Sequence, residues 1–396
     1  NKYINGNIVR CIHHDEKGNY WFGIAGNGLV KYDGNDYKTF RKEEFPRLRH
    51  VRKIVDLPNG HLLIATFNGN IAYDGTKFYN YLEKYNVSPA LPVLDILKDG
   101  NEIWLGTLLQ GATRVNTRSG KILKFNLANA SLKNNIVQFI YKDSRGNIWF
   151  CTNYGVSSFD GKKIKHYNPT NGFNSEWVLQ ATEDTVGSMW FATYDNGLIC
   201  LKDDSIIEIN SLDGLTSDNI YSVITDQDGN IWAGTQNGVD KLLLDEQGNI
   251  TNIETYDRHD GFTGIENNGS AAIIDRVGNL WFGTINGAMK YNPSKDKSNP
   301  HSPVTSITGI RLFFKQVDWT KEKHRDWYDS ITPWMGLPVN LSLPHNKNHI
   351  SFDFEGISYK VPEKVSYQWK MEGLDKDWSP VSNKTEAVYT NLPPGG

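Results

Sequence analysis

The chain contains 396 residues, with 42 Lys or Arg against 45 Asp or Glu and a formal net charge of −3. The two signs of charge are interspersed without a basic stripe, which excludes a nucleic-acid-binding surface from the predicted functions. The sequence has no run of about 18 apolar residues and no charged-then-apolar leader, so neither a membrane span nor a secretion signal is expected within these residues. The length accommodates one large domain and one small domain.

One short pattern recurs along most of the chain, and its clearest copies are residues 146–152, 229–235 and 278–284. The anchor position of the pattern is occupied by Trp21, Leu63, Trp104, Trp149, Trp190, Trp232 and Trp281, at steps of 41 to 49 residues. Strand-rich units of roughly 40 to 50 residues are typical of a β-propeller, and seven units suffice to close its ring. The predicted fold of residues 1–298 is therefore an all-β, seven-bladed β-propeller.

Each unit is predicted to form four short strands, which in the fourth unit are residues 136–141, 147–152, 156–160 and 163–167. Apolar residues alternate at period two in these runs, and Asp and Gly mark the tight turns between them. A small residue lies two positions after the anchor in every unit, at Gly23, Ala65, Gly106, Cys151, Ala192, Gly234 and Gly283. We interpret this residue as space for a large ring of the neighbouring blade, with the tryptophans in the core.

The last repeat lacks an obvious fourth strand, because residues 288–291 are followed by polar, turn-like chain. Residues 1–4 are predicted to supply that strand and so to close the ring.

A second domain is predicted for residues 299–396, where the repeat stops and Pro300 and Pro303 mark a boundary. Its strand-like runs are residues 304–314, 339–343, 349–357, 365–372 and 387–390, with a long loop at 315–335. Several short strands in fewer than about 100 residues favour a small immunoglobulin-like β-sandwich. The aromatic residues Tyr367, Trp369, Trp378 and Tyr389 are predicted to fill its core.

Two stretches resemble known families. Residues 226–239 resemble the repeat of the two-component regulator propeller family, Asp-x-x-Gly-x-Leu-Trp-Ile-Gly-Thr-x-x-Gly-Gly-Leu, and residues 348–354, 366–378 and 389–395 resemble the Y_Y_Y domain, named for its three tyrosines. Propeller followed by Y_Y_Y domain is the ectodomain arrangement of hybrid two-component sensors common in gut Bacteroidetes. Many family members carry two propellers in tandem, whereas this chain contains one. The Y_Y_Y domain is expected to be C-terminally incomplete, since the family continues beyond the position of Gly396.

The resemblance implies the periplasmic sensor region of a histidine kinase that is anchored in the inner membrane and signals to a transcriptional output. It also implies a homodimer in the intact receptor. The membrane anchor and the kinase are expected outside these residues, and this fragment is expected to catalyse nothing.

Other motifs carry little chemistry. Cys11, Cys151 and Cys200 lack metal-ligand spacing and are predicted to be buried thiols. Residues 226–230 begin like a calcium loop, but position twelve would be an Asn rather than Glu, so a hairpin turn is predicted. His13 and His14 are adjacent on a strand, where their side chains point to opposite sides. No cofactor and no metal site is predicted.

A binding site is predicted at one mouth of the propeller, where the loops between the second and third strands meet the loops entering the innermost strands. The predicted ligand-binding residues are Arg49, His50, Phe67, Asn68, Tyr154, Trp177, Tyr194, Asp195, Gln236 and Asn267. Aromatic faces stack on sugar C–H surfaces while amides and charged groups bond hydroxyls, so this set suits an oligosaccharide. Two alternatives remain open from the sequence, a propeller polysaccharide lyase or hydrolase and a protein-interaction scaffold.

Overall fold

A computed structural model describes residue 4 and residues 7–264, 266–296, 303–358 and 365–393. The chain divides into two compact units, Asn1–Asp296 and Lys297–Gly396. Within the described ranges the regular structure consists of β-strands and short 3-10 helices, without an α-helix.

The first unit contains repeated antiparallel sheets in which consecutive strands are neighbours. Blade one consists of β1 (Val9–His14), β2 (Tyr20–Ile24), β3 (Gly28–Tyr32) and β4 (Tyr37–Arg41), and blade two of β5 (Val51–Leu57), β6 (His61–Thr66), β7 (Gly69–Tyr73) and β8 (Phe78–Tyr79). Blade three consists of β9 (Val93–Asp99), β10 (Glu102–Thr107), β11 (Ala112–Asn116) and β12 (Ile122–Phe125), and blade four of β13 (Val137–Lys142), β14 (Ile148–Thr152), β15 (Gly155–Phe159) and β16 (Ile164–Tyr167).

Blade five consists of β17 (Val178–Glu183), β18 (Met189–Thr193), β19 (Leu198–Lys202) and β20 (Ser205–Ile209), and blade six of β21 (Ile220–Thr225), β22 (Ile231–Thr235), β23 (Gly238–Leu244) and β24 (Ile250–Tyr256). Blade seven contains β25 (Asn267–Ile274), β26 (Leu280–Thr284) and β27 (Gly287–Tyr291). Short 3-10 helices lie at Pro46–His50, Pro58–Gly60, Glu83–Tyr85, Pro169–Asn171, Arg258–Asp260 and Pro293–Lys295. The first strands of successive blades contact one another, and β25 contacts β1, so the seven-bladed ring is closed as predicted.

Blade seven has three strands among the described residues. The predicted fourth strand falls mostly on residues 1–3, which lie outside the described ranges. Ile4 is described and buried, and it belongs to an apolar cluster that also includes Trp281 and Ala288 of blade seven.

A carboxylate six residues before the anchor tryptophan explains the repeated motif. The indole Nε1 of Trp21, Trp149, Trp190, Trp232 and Trp281 donates to the carboxylate of Asp15, Asp143, Asp184, Asp226 and Asp275 respectively, over 2.7 to 2.9 Å. The other oxygen of each Asp accepts the backbone N–H four residues on. One side chain therefore closes the hairpin turn and satisfies the buried indole. The carboxylate of Asp226 has this role, which supports the hairpin interpretation of residues 226–230.

The innermost strand of the next blade packs closely against the small residue that lies two positions after the anchor. A Cβ on Gly106 would lie 2.8 Å from the carbonyl oxygen of Val137, and one on Gly283 would lie 2.5 Å from that of Val9. The tryptophan rings instead contact the aromatic residue next to the following anchor, as in Trp104–Phe150, Trp149–Phe191, Trp232–Phe282 and Trp281–Phe22. The prediction that a large ring fills the small-residue space was wrong, because backbones approach most closely where the innermost strands converge.

The cysteines are buried free thiols, as predicted. Burial raises the pKa of Cys11 and of Cys200 to about 12.

The second unit is the predicted small β domain. Its strands are β28 (Val304–Leu312), β29 (Lys315–Gln316), β30 (Ser330–Ile331), β31 (Pro338–Val339), β32 (Ile350–Ile357) and β33 (Glu386–Tyr389), with a 3-10 helix at Glu322–Trp327. The main sheet has the order β29-β28-β32-β33, and β30 pairs with β31. Ile310, Leu312 and Ile350 of the main sheet pack with buried Trp319 and Tyr328, so the segment predicted as a loop at 315–335 contributes two aromatic residues to the core.

Three expectations for this unit were wrong. Residues 339–343 contribute to a strand only at Val339, and residues 365–372 form one isolated bridge, Tyr367 with Ser382. The ladder does not extend from this bridge, since the facing segment carries Pro380, which has no N–H to donate. Trp378 is 63% exposed rather than buried.

We expect Asp184→Ala to lower the free energy of unfolding by about 2–4 kcal/mol, because it leaves the buried indole N–H of Trp190 unpaired. Asp245→Ala is the matched control, since Asp245 accepts from Gln247 and Asn249 in the same kind of turn but holds no tryptophan. Urea denaturation of the two variants measures the difference. An equal loss of unfolding free energy in the two variants would show that the bond from the Trp190 indole to Asp184 does not add to stability.

Acid should weaken the propeller partly through Asp275. Although burial raises the pKa of this carboxyl, hydrogen bonds from Trp281, Asn279 and Tyr20 lower it well below its usual value. The lowered pKa stabilises the folded state fully above the unfolded value of about 3.9, and this stabilisation is lost as pH falls through the folded value. Denaturant unfolding from pH 7 to pH 2 should therefore show a shallower acid decline of stability in Asp275→Asn than in the unchanged chain.

Candidate ligand-binding site

The loops between second and third strands meet the segments that enter the innermost strands at one mouth of the ring. Backbone N–H groups of the former donate to carbonyls of the latter within one blade, as in Phe67 to His50, Tyr194 to Trp177 and Ile285 to Glu266. Others donate to the next blade, as in Gly26 to Arg49 and Gly197 to Asp218. These bonds form a hydrogen-bonded rim that links several neighbouring blades, and the rim carries most of the predicted ligand-binding residues.

Each of the first six innermost strands has a β-bulge at its second residue, where the register with the next strand skips one position. The bulge residues are Arg10, Arg52, Leu94, Gln138, Leu179 and Tyr221. The residue before the bulge is Val in five of these blades, whereas the bulge residue itself changes chemistry from blade to blade. Bulges re-aim side chains beside functional sites, and several of these side chains contact the mouth loops.

Blades five and six contribute an aromatic surface. The rings of Trp177 and Tyr194 are 5.5 Å apart, and those of Tyr194 and Tyr221 are 6.0 Å apart. Trp177 is 47% exposed and Tyr194 is 42% exposed, so their faces are open to a ligand. Burial and the neighbouring Glu266 carboxylate raise the pKa of Tyr221, so its phenol stays protonated. The sequence predicted the first two rings together but missed Tyr221.

Polar groups lie around these rings. Ser175 donates to the exposed carboxylate of Asp195 over 2.9 Å, and Asn219 donates to Gln236 over 3.3 Å. Tyr154 and Asn68 occupy equivalent turns in blades four and two, where the backbone N–H of each donates to the preceding Thr hydroxyl.

Blades one and two form a cationic side of the mouth. The His50 ring lies 6.0 Å from the Phe67 ring, and the Arg52 guanidinium lies over the same Phe67 ring at 5.3 Å. Arg49 is exposed beside them at the end of its 3-10 helix. Burial, together with the charges of Arg49, Arg10 and Lys42, lowers the pKa of His50, which therefore is neutral near pH 7. Neither Arg10 nor Arg52 was among the predicted site residues.

Asn267 needs a correction. It is 2% exposed, and its amide donates to the backbone carbonyls of Thr235 and Gly238 over 2.9 and 2.6 Å. A Cβ on Gly234 would lie 2.9 Å from its Cγ, so Asn267 fills the position that Val occupies in other blades. Its side chain therefore joins two blades and is not placed to bind a ligand.

The bulge of blade seven is longer, because register with β26 is lost from Asn267 to Ala272. Within this stretch Ser270 has a positive φ of 58° and donates to the carbonyl of Leu179 in blade five, while Asn268 donates to the carbonyl of Val9 in blade one. The insertion thus reaches across part of the mouth.

The histidine pair has no shared ligand. His13 Nε2 lies 3.2 Å from a carboxylate oxygen of Asp56 in blade two, whereas the His14 ring stacks on Tyr20 and accepts from the backbone N–H of Arg276 in blade seven. No group of three His, Cys, Asp or Glu side chains suited to a metal ion occurs in the part of the chain that the structure describes.

A cavity of about 540 Å³ lies in the second unit, between the main sheet and residues 366–371. Phe354 on its floor contacts Tyr367 and Trp369, with ring centroids 5.1 and 5.6 Å apart. Tyr367, Trp369 and Tyr389, which were predicted to fill the core of this domain, are instead half-buried and line this cavity.

The chain forms a β-propeller and, after it in the sequence, a small β domain, and the comparisons with known proteins find the same two kinds of unit. The pattern of the two component regulator propeller family matches residues 131–154 and 214–237, and the pattern of the Y_Y_Y domain matches residues 358–396. The chain thus carries both kinds of unit that its sequence resembles.

Histidine kinase P4 of Formosa agariphila is 23% identical over 406 residues, which cover 97% of this chain and 29% of that protein. The extracellular domain of a putative hybrid two component system from B. thetaiotaomicron superposes with a TM-score of 0.71 at 22% identity, covering 98% of this chain and 52% of that one. An inactive virginiamycin B lyase from Staphylococcus aureus shares the propeller fold, with a TM-score of 0.56 at 14% identity over 72% of this chain and 94% of its own.

The chain therefore spans less than a third of the curated relative and about half of the solved ectodomain. Searching the described residues for a helix with the length and apolar character of a membrane span finds none.

Proposed function

We propose that this chain is the extracytoplasmic ligand-sensing region of a hybrid two-component receptor, and that its propeller mouth binds an oligosaccharide. The two component regulator propeller repeats, the Y_Y_Y domain and the ectodomain-like fold support the receptor assignment. The chain would then lie in the periplasm as part of a membrane-anchored histidine kinase that works as a homodimer.

The observation that carries the ligand class is the open aromatic surface of Trp177, Tyr194 and Tyr221 beside exposed polar groups. Flat apolar ring faces suit the C–H faces of pyranoses, and the protonated phenol of Tyr221 with the carboxylate of Asp195 can bond sugar hydroxyls. A protein-docking surface would instead present a larger continuous apolar patch.

Signalling requires that the ligand bind one state of the receptor more tightly than another, because equal affinity for both would shift no equilibrium. The mouth joins loops from different blades through the rim of backbone bonds, so one ligand can contact several blades together. We propose that the Y_Y_Y domain passes the resulting change towards the kinase.

Isothermal titration calorimetry of this chain against defined oligosaccharides tests the proposal. We expect saturable binding to one glycan class without released products, and Trp177→Ala should weaken that binding by at least about tenfold through loss of the stacking face. Trp334→Ala is the matched control, since Trp334 is 97% exposed in the second unit and should leave the affinity unchanged.

Product release detected by chromatography would favour a lyase or hydrolase over a sensor. Binding that survives Trp177→Ala in a folded variant would place the site away from the aromatic surface. No binding to any member of a broad panel would contradict oligosaccharide recognition by this chain.

A further inference from the structure

Two arginines stand at neighbouring bulges on the cationic side of the mouth. Arg10 and Arg52 occupy the bulge of blade one and of blade two, whose innermost strands are in contact. The Nε of each guanidinium is buried without a hydrogen-bond partner. Both residues are half-buried, and within the described residues no hydrogen bond or ion pair joins either guanidinium group to a carboxylate.

Two arginines elsewhere in the chain have carboxylate partners. Arg114 donates two bonds to Glu102 over 2.8 and 3.0 Å, and Arg276 lies 3.4 Å from Asp56. Removing a charge from water without a partner costs free energy that pairing offsets, which is why buried charges are normally paired. Two half-buried guanidinium groups at neighbouring bulges, neither of them ion-paired among the described residues, are therefore an unfavourable feature of this part of the mouth.

A carboxylate near these arginines already has other partners. Asp95 lies 3.4 Å from Lys53 Nζ and accepts the backbone N–H of Ile140 over 2.8 Å. Burial and the charge of Arg10 lower the pKa of Arg52 to about 10, and Asp95 offsets this only in part. Asp95 therefore compensates the charge of Arg52 only in part, because Lys53 shares the same carboxylate.

The same arginines belong to the mouth. Arg52 covers the Phe67 ring, and Arg10 is near enough to His50 to lower its pKa. Phe67 and His50 are both among the predicted ligand-binding residues. Arg10 and Arg52 lie on blades one and two, whereas the aromatic surface lies on blades five and six. A ligand at this mouth therefore meets sugar-binding rings on one side and unpaired cations on the other.

We propose that the mouth selects an acidic oligosaccharide, whose carboxylate or sulfate group is held by Arg10 and Arg52. This inference rests on the proposed oligosaccharide binding and adds the charge of the ligand. The planar guanidinium fork matches carboxylate and sulfate oxygens in pairs, and such charge-assisted bonds are about twice as strong as neutral ones. A neutral sugar would leave both cations unpaired, so the site discriminates against it.

The test uses matched pairs of probes in calorimetry with the whole chain. Oligosaccharides of galacturonate, glucuronate and guluronate are compared with their carboxyl-reduced forms, and sulfated galactose oligosaccharides with their desulfated forms. We expect at least one acidic probe to bind, its neutral partner to bind at least about tenfold more weakly, and the acidic affinity to fall with added salt. The pair that responds distinguishes carboxylate from sulfate.

Variants of Arg10 and Arg52 test whether these residues cause the preference for acidic probes. Arg10→Gln and Arg52→Gln should each bring the acidic probe's affinity close to that of its neutral partner, while Arg52→Lys retains part of the preference. Arg118→Gln makes the same charge change in an exposed outer turn of blade three and should leave the preference for the acidic probe unchanged. Thermal melting without ligand adds a second readout, because removing one of two unpaired like charges should maintain or raise Tm, whereas loss of a structural residue would lower it.

Equal binding of acidic and neutral partners, or acidic binding indifferent to Arg10→Gln and Arg52→Gln, would overturn this inference and leave oligosaccharide sensing intact. Failure of every probe, neutral ones included, would overturn both. A lower Tm for both variants with unchanged probe affinity would assign the arginines a structural role instead.

Discussion

The close approach of seven innermost strands around one axis is the constraint on which the rest of this structure depends. At Gly106 and Gly283 the next blade's backbone lies where a Cβ would be, so those positions accept only small residues. In five blades the anchor tryptophan, two residues before the small residue, donates its indole N–H to an Asp carboxylate six residues earlier. One repeated sequence motif therefore specifies both the hairpin turn within a blade and the close contact between neighbouring blades.

The same constraint leaves a small part of each blade free to vary. The residue before the bulge must pack against the neighbouring blade and is usually Val, but the bulge residue is released from the ladder. Its side chain can then be Arg, Leu, Gln or Tyr without disturbing the ring. The side chains at the mouth thus vary at positions that the strand ladder does not use, so a repetitive scaffold has a non-repetitive mouth.

The unpaired positive charges at this mouth lower the stability of the fold, and the proposed function gives them a role in binding. Unpaired guanidinium groups on blades one and two oppose folding, while the rim of backbone hydrogen bonds and the buried seams hold them in place. Unfavourable features of this kind persist where the surrounding structure over-determines them, and in the proposed complex an anionic group of the ligand would offset their cost. The proposed contacts of the aromatic surface would depend on shape more than on charge.

The sequence by itself determined the number of blades, the strands and turns of each and the location of the mouth, because these follow from local hydrogen bonds and a period-two pattern within one repeat. It also placed Trp177 and Tyr194 together, since both belong to loops of one blade. Tertiary structure decided the rest. Asn267 turned out to join blades rather than face a ligand, and Tyr221, Arg10 and Arg52 entered the site, because a bulge is visible only against its partner strand. The missing counter-charge could not be read from the chain either, since it depends on neighbours that are distant in sequence and brought close only when the ring closes.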